Sequence, residues 1–150
     1  MKSIIYLSVF IILLGYTYSR AFNIVGKSGY CVAAANGRSR LTQHSCINAN
    51  NVLWSKIWQS GKWILRCNNG YVMDLKGYGN NGDPIQAWTR NNSVNQLWSI
   101  RDVGHGQGLL VNARNGKCLD DTGRKGYGQF YHLWTCSRTN KNQIFIFRYP

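Results

Sequence analysis

Past residue 21 the apolar residues fall in short runs bounded by turn formers. Trp63-Ile64-Leu65-Arg66-Cys67, Gly108-Leu109-Leu110-Val111-Asn112 and Ile144-Phe145-Ile146-Phe147 are separated by stretches such as Asn68-Asn69-Gly70, Asn80-Asn81-Gly82 and Asn115-Gly116. Runs of this length between Asn/Gly turns read as strands. No amphipathic stretch with helical spacing of useful length follows residue 21, and turn signals recur about every ten residues. The pattern predicts an all-β chain.

The same runs repeat. Val94-Asn95-Gln96-Leu97-Trp98-Ser99 is echoed by Lys141-Asn142-Gln143-Ile144-Phe145 and more faintly by Asn50-Asn51-Val52-Leu53-Trp54-Ser55, at spacings of 44 and then 47 residues. Upstream of each stands a second element: Tyr30-Cys31-Val32-Ala33, Tyr71-Val72-Met73-Asp74 and Lys117-Cys118-Leu119-Asp120, preceded by Gly29, Gly70 and Gly116. A third element lies between them. Asp74 and Trp88 are 14 residues apart, and so are Asp120 and Trp134. In the first copy the corresponding loop is three residues shorter, and Leu41-Thr42-Gln43-His44-Ser45-Cys46 keeps a cysteine but has no indole. Three units of about 43 residues, each too small to bury its own apolar face, can share one core around a pseudo-threefold axis. Closure into a barrel also removes exposed strand edges. The expected fold is a β-trefoil of three repeats.

The chain has 150 residues, room for about one domain at the usual ~100–200 residues each. Residues 1–21 run from Lys2 through the apolar stretch Ile4 to Leu14 and reach the small residues Ser19 and Ala21, the layout of a secretory signal peptide. Ser8, Gly15 and Thr17 interrupt this stretch, which falls short of the ~20 apolar residues of a membrane span. The expected division is a signal peptide over 1–21 and one domain over 22–150, secreted and extracellular, with no transmembrane segment once the leader is removed. Six Trp, nine Tyr and five Phe supply apolar area that a disordered chain of this charge would lack.

The repeat register pairs Cys31 with Cys46 and Cys118 with Cys136, and an oxidising compartment favours both disulfides. Each short loop closed in this way should contribute about 3 kcal/mol. Cys67 is left over. In the sequence register it aligns with Ala113, as a buried small thiol would, and a link between two chains is the other reading. The formal net charge is +13; loss of Lys2 with the leader leaves +12, and loss of Arg20 as well leaves +11. Such a field attracts anionic partners at a distance without selecting one.

In Gln96-Leu97-Trp98 and the weaker Gln143-Ile144-Phe145, together with the recurring Asp and intervening Trp, the chain resembles the ricin B-type lectins, over roughly residues 22–149. The resemblance implies a β-trefoil whose repeats can each hold one shallow sugar site, and galactose or N-acetylgalactosamine as the sugar type. The chemistry fits the residue types. A carboxylate accepts strong hydrogen bonds from two neighbouring hydroxyls, and an amide both donates and accepts. An indole covers the C–H face of a sugar for about 0.5–1.5 kcal/mol, by analogy with aromatic pairs.

The second repeat carries the full set: Asp74, Trp88 as platform and Asn95 as amide reader, with Gln86 and Gln96 in support. Trp98 takes the position the family uses for packing. The third repeat offers Asp120, Trp134 and Asn142 with Gln143 behind them, and His132 stands where Gln86 stands in the second. His132 would make binding pH-sensitive if it met a hydroxyl; the plainer reading is an incidental surface histidine. Ala33, His44 and Val52 replace Asp, Trp and Gln in the first repeat, whose site is expected to be lost. A single site of this type holds a monosaccharide near millimolar, about 4 kcal/mol, so two sites on one glycan surface would supply useful avidity. Asn91-Asn92-Ser93 is an N-glycosylation sequon between Trp88 and Asn95, where a glycan would crowd the best site.

Catalysis is not expected. A glycosidase needs two carboxylates about 5–10 Å apart across a bond, Glu is absent, and adjacent Asp120 and Asp121 would face opposite ways on a strand. No zinc spacing, nucleophile elbow or phosphate loop is present, so neither metal nor cofactor is expected, nor a specific nucleic-acid partner. The rival to a lectin is a charge-driven binder of sulfated glycans or other polyanions, using Arg38, Arg40, Arg114, Lys117, Arg124, Lys125, Arg138 and Lys141. Salt separates the two, because a charge-driven complex weakens steeply from about 50 to 200 mM salt. A protease inhibitor ranks last, since the insertion around Gly104-His105-Gly106-Gln107 is too short for a protruding reactive loop.

Overall fold

The structure, a computed structural model, describes residues 20–47 and 49–150. The expected leader over 1–21 lies, apart from Arg20 and Ala21, outside the described residues. Three repeats of four strands follow: β1 (Asn23–Val25), β2 (Cys31–Ala33), β3 (Thr42–His44) and β4 (Trp54–Gln59); β5 (Lys62–Cys67), β6 (Val72–Leu75), β7 (Ile85–Trp88) and β8 (Trp98–Gly104); β9 (Gln107–Asn112), β10 (Cys118–Asp120), β11 (His132–Trp134) and β12 (Phe145–Arg148).

The first and fourth strands of the repeats close a ring. Each first strand pairs with the fourth strand of the preceding repeat, as β1–β12, β5–β4 and β9–β8. Each also meets its own fourth strand, through Phe22↔Trp54, Trp63↔Trp98 and Gly108↔Phe145. The second and third strands form three hairpins, β2–β3, β6–β7 and β10–β11. At the axis Leu41 N donates to Ile85 O (2.9 Å), Ile85 N to Tyr131 O (3.4 Å) and Tyr131 N to Leu41 O (3.2 Å). The chain is a β-trefoil. No helix among the described residues is long and apolar enough to cross a membrane.

The Gln-x-aromatic element explains the core. Its aromatic residue, two positions after the glutamine, opens the fourth strand in the second and third repeats and points inward, so Trp98 and Phe145 are fully buried, as is Trp54 in the first. The indoles satisfy their one donor on the second strand: Trp54 Nε1 donates to Val32 O (2.9 Å) and Trp98 Nε1 to Met73 O (3.1 Å). Truncating such a residue to alanine typically costs about 3–5 kcal/mol.

Disulfides join Cys31 to Cys46 and Cys118 to Cys136, as the repeat register predicts. The free Cys67 corrects that register by one residue. Trp54 pairs with Cys67 where Trp98 pairs with Asn112, so Cys67 is equivalent to Asn112 and not to Ala113. Turns of unequal length hid the offset; pairing across the barrel fixes it.

One bulge recurs three times where a hairpin meets the next repeat. Gly82 N donates to Leu133 O and Leu133 N to Asp83 O, both at 2.8 Å; Gly128 N donates to Gln43 O (2.9 Å) and Gln43 N to Gln129 O (2.7 Å). In the first repeat Arg38 N donates to Ala87 O and Ala87 N to Ser39 O, both at 2.8 Å. The bulge residue is left-handed, with φ of 92° at Gly82, 82° at Gly128 and 66° at Arg38. Glycine adopts this conformation without penalty, and a residue with a Cβ loses about 1–2 kcal/mol.

Candidate functional site

Strand pairing brings the second-repeat residues together. Asp74 lies opposite Gln86 and Val72 opposite Trp88, so the carboxylate and the indole are diagonal neighbours on one face of the β6–β7 hairpin, at the roughly 7–8 Å of such pairs. In the third repeat Asp120 lies opposite His132 and Cys118 opposite Trp134, which reproduces the arrangement. Trp88 is half-buried and Trp134 is 42% exposed; neither indole is in the core.

Two glutamines hold the carboxylates. Gln96 Nε2 donates to Asp74 Oδ2 (3.0 Å) and to Thr89 O (2.9 Å), and its Oε1 accepts from Asn91 N (2.8 Å). Gln143 Nε2 donates to Asp120 Oδ2 (3.0 Å) and to Thr135 O (2.9 Å), and its Oε1 accepts from Ser137 N (2.8 Å). Thr89 and Thr135 directly follow the two indoles. Each buried glutamine therefore ties the carboxylate to the backbone that follows the indole, and both of its amide N–H groups are used. Gln96 and Gln143 fix where the two carboxylates sit.

The remaining partners differ between the repeats. Gln86 Nε2 donates to Asp74 Oδ1 (2.9 Å). At Asp120, Oδ1 accepts from Thr122 N (2.7 Å) and lies 3.3 Å from His132 Nε2, while Oδ2 also accepts from Asn140 Nδ2 (3.1 Å). Both carboxylates are nearly buried, at 5% and 3% exposure, so a ligand meets only an edge of each. Burial raises the Asp74 pKa above its ordinary value against the pull of Gln86 and Gln96. Burial pushes Asp120 the same way, but the hydrogen bonds from His132, Gln143 and the Thr122 N–H, with the charge of His132, outweigh it and the net shift is downward.

His132 stacks on Trp134, with centroids 5.2 Å apart and planes at 22°, so its ring is held between platform and carboxylate. Asn95 is engaged at both ends, donating to Leu75 O (2.9 Å) and accepting from Arg114 Nη1 (3.0 Å). Asn142 sits over the turn at Gly123, where an added Cβ would come 2.9 Å from its Nδ2. In the first repeat Ala33 and Val52 stand where the other repeats carry the carboxylate and the glutamine, and they pack with Val25 and Cys31 in an apolar cluster, while His44 stands beside Tyr127, with centroids 4.5 Å apart.

Three contributors were not legible as site residues. Asn140 precedes a 3-10 turn over Lys141–Gln143 and its side chain accepts from Asn142 N, a capping role its residue type suggests; its second bond, to Asp120, has no sequence signal. Thr122 acts through its backbone N–H. Arg38, grouped above only with surface charge, stands over Trp88, its Cζ 5.1 Å from the ring centroid.

Residues 94–149 match the family model described as "Ricin-type beta-trefoil lectin domain-like". No curated protein matches the chain in sequence. Among solved structures, it is similar to the designed 3-fold symmetric protein ThreeFoil, with 21% identity, TM-score 0.79 and coverage of 85% of this chain and 97% of that one. It is similar to the Macrolepiota procera ricin B-like lectin in complex with lactose, with 18% identity, TM-score 0.77 and coverage of 88% and 96%. The Polyporus squamosus lectin bound to Neu5Aca2-6Galb1-4GlcNAc has 19% identity, TM-score 0.73 and coverage of 86%, and this chain spans 48% of it. The resemblance to ricin B-type lectins thus holds in sequence over residues 94–149 and in fold over 86–88% of the chain for the two lectins.

Proposed function

We propose that the chain is a carbohydrate-binding protein that holds glycans at the second and third repeats without transforming them. The observation that carries this reading is the spatial recurrence of one constellation: a carboxylate held by a buried glutamine, diagonal to an indole outside the core, at Asp74/Trp88 and at Asp120/Trp134. Each carboxylate oxygen has two acceptor sites. At Asp74 one on each oxygen is left for a sugar hydroxyl, whereas at Asp120 all four are met by Thr122, His132, Asn140 and Gln143, so a hydroxyl there takes the place of one of them. In both the indole takes the C–H face. Gln86 and His132 flank the carboxylates, and Asn95 and Asn142 are the amides proposed to read a hydroxyl.

Galactose or N-acetylgalactosamine is the proposed sugar type, supported by the family resemblance and by the lactose bound to the Macrolepiota procera lectin. Secretion behind a leader over 1–21 is supported by the two disulfides. A non-enzymatic role is supported by the carboxylates themselves: Asp74 and Asp120 belong to different repeats, and Asp121 turns away to accept from Gly123 N (2.9 Å).

Charge favours a second reading. With net charge +13, contact with sulfated glycans or other polyanions can occur outside the two clefts. A glycan array at two salt concentrations, with the parent and the Asp74→Ala/Asp120→Ala double variant, separates the readings. Gln96 and Gln143 keep the carbonyls of Thr89 and Thr135 as acceptors in that variant, so it should fold. Salt-insensitive retention should vanish in it; salt-insensitive retention that persists overturns the assignment.

A further inference from the structure

We infer that Arg38 makes the second-repeat site selective for acidic sugars, that is, for a glycan carrying a carboxylate or a sulfate ester next to the ring that lies on Trp88. This rests on the glycan-binding reading and adds the ligand class for one of its two sites.

The fold places one bulge residue beside the platform position of the following repeat. Two of the three are glycines, Gly82 and Gly128, and the third is Arg38, in the same left-handed conformation. A Cβ at φ 66° is disfavoured, and strain retained beside a binding surface is an observation from which function can be argued. The long side chain placed there reaches Trp88, with Cζ 5.1 Å from the ring centroid. The indole face holds a guanidinium in place by cation–π attraction without using its N–H groups.

Those N–H groups are free. Arg114 spends its donors on Tyr78 O and Asn95 Oδ1, and Arg90 on Asn92 Oδ1 and Gln59 Oε1. The Arg38 guanidinium has no hydrogen-bonding or carboxylate partner among the described residues. It borders a hollow of about 380 Å³ lined by Gly37, Arg38, Tyr71, Trp88 and Thr89, within the ~300–1,000 Å³ range of small-ligand sites.

The hollow is built rather than incidental. Asn69 Nδ2 donates to the carbonyls of Ala34 and Ala35, tying the shortened first-repeat loop to the second repeat. Gly37 lets that loop lie against Tyr71, where an added Cβ would come 2.5 Å from Cε1 of the ring. At the third repeat the equivalent neighbour is neutral: Gly82 carries no side chain, and Asn81 Nδ2 donates to Thr135 Oγ1 (3.1 Å). A planar guanidinium presents paired donors that match carboxylate and sulfate oxygens bidentately, which an ammonium does not. The cation is specific to one repeat, and so is the selectivity.

The test measures affinity of the full chain, in the Asp120→Ala background that silences the third site, for lactose and for lactose bearing either a sialic acid or a sulfate. Charge-assisted pairing should make the acidic forms about tenfold tighter than lactose. Arg38→Gly, which installs the residue the other two repeats use, should bring the ratio of acidic to neutral affinity near one and leave the melting temperature at or above that of the parent. Arg38→Lys should give an intermediate ratio. Preference for only one acidic form identifies the source of the charge and supports the inference. A ratio of one in the parent, a ratio untouched by Arg38→Gly, or tighter neutral binding on removing the arginine overturns it while glycan binding stands. Failure of the parent to bind any of these sugars overturns both readings.

Discussion

Gln143 Nε2 donates to Asp120 Oδ2 at 3.0 Å, and Gln96 makes the same bond to Asp74 at the same distance. The glutamine of the Gln-x-aromatic element thus acts on the site while its aromatic partner two residues on fills the core. One three-residue signal couples folding to the placement of a carboxylate.

Replacing Gln143 by alanine should therefore do two things at once. Ser137 N and an oxygen of the nearly buried Asp120 lose a partner, which should cost about 1–3 kcal/mol in urea unfolding. Glycan retention through the third repeat should fall with it, measured in an Asp74→Ala background, whereas retention through the second repeat is untouched.

Acidification should silence the two sites in order. The Asp74 carboxyl is shifted up and the Asp120 carboxyl down, so Asp74 takes its proton first as pH falls, above the ordinary value of about 3.9. Only the ionised form offers charged acceptors at both oxygens. Retention by the Asp120→Ala variant, which has the second site alone, should fail at a higher pH than retention by Asp74→Ala. For stability the signs are opposite: Asp120 contributes stability that is present above its unfolded value and lost as pH drops through its depressed value.

Asp121→Asn should stabilise the fold. Asp121 is 2% exposed, one position after the site carboxylate, where the first and second repeats carry Ala34 and Leu75. Burial and the neighbouring Asp120 charge raise its pKa against the pull of the Gly123 N–H and Lys27. A carboxyl raised on folding favours the native state below its unfolded value and penalises it as pH climbs through the raised value. The variant should melt higher than the parent at neutral pH, and the difference should shrink below about pH 3.9.

The Cys67 thiol should resist alkylation in the native protein. It is fully buried, Sγ donates to Asn50 O (3.1 Å), and burial pushes its pKa up to about 11, so little thiolate is present at neutral pH. Iodoacetamide labelling followed by mass spectrometry should show modification only after denaturation. Rapid native labelling, or a disulfide-linked dimer on a non-reducing gel, would point to the interchain role instead.

Periodicity and turn residues in the sequence determined the all-β class, the threefold repetition, both disulfide pairs and the equivalence of Asp74 with Asp120 and of Trp88 with Trp134, because these follow from neighbours along the chain and from spacing within one repeat. Only the tertiary structure decided that Cys67 stands with Asn112, that Asn140 and Thr122 reach Asp120, that two equivalent aspartates shift in opposite directions, and that Arg38 lies over Trp88. Each of these depends on which backbone faces which across the closed barrel or around a loop. Arg38 bonds Ala87, a residue of the next repeat. Alternation along a strand assigns a side chain to a face, but barrel closure chooses what that face meets, and no local pattern encodes it.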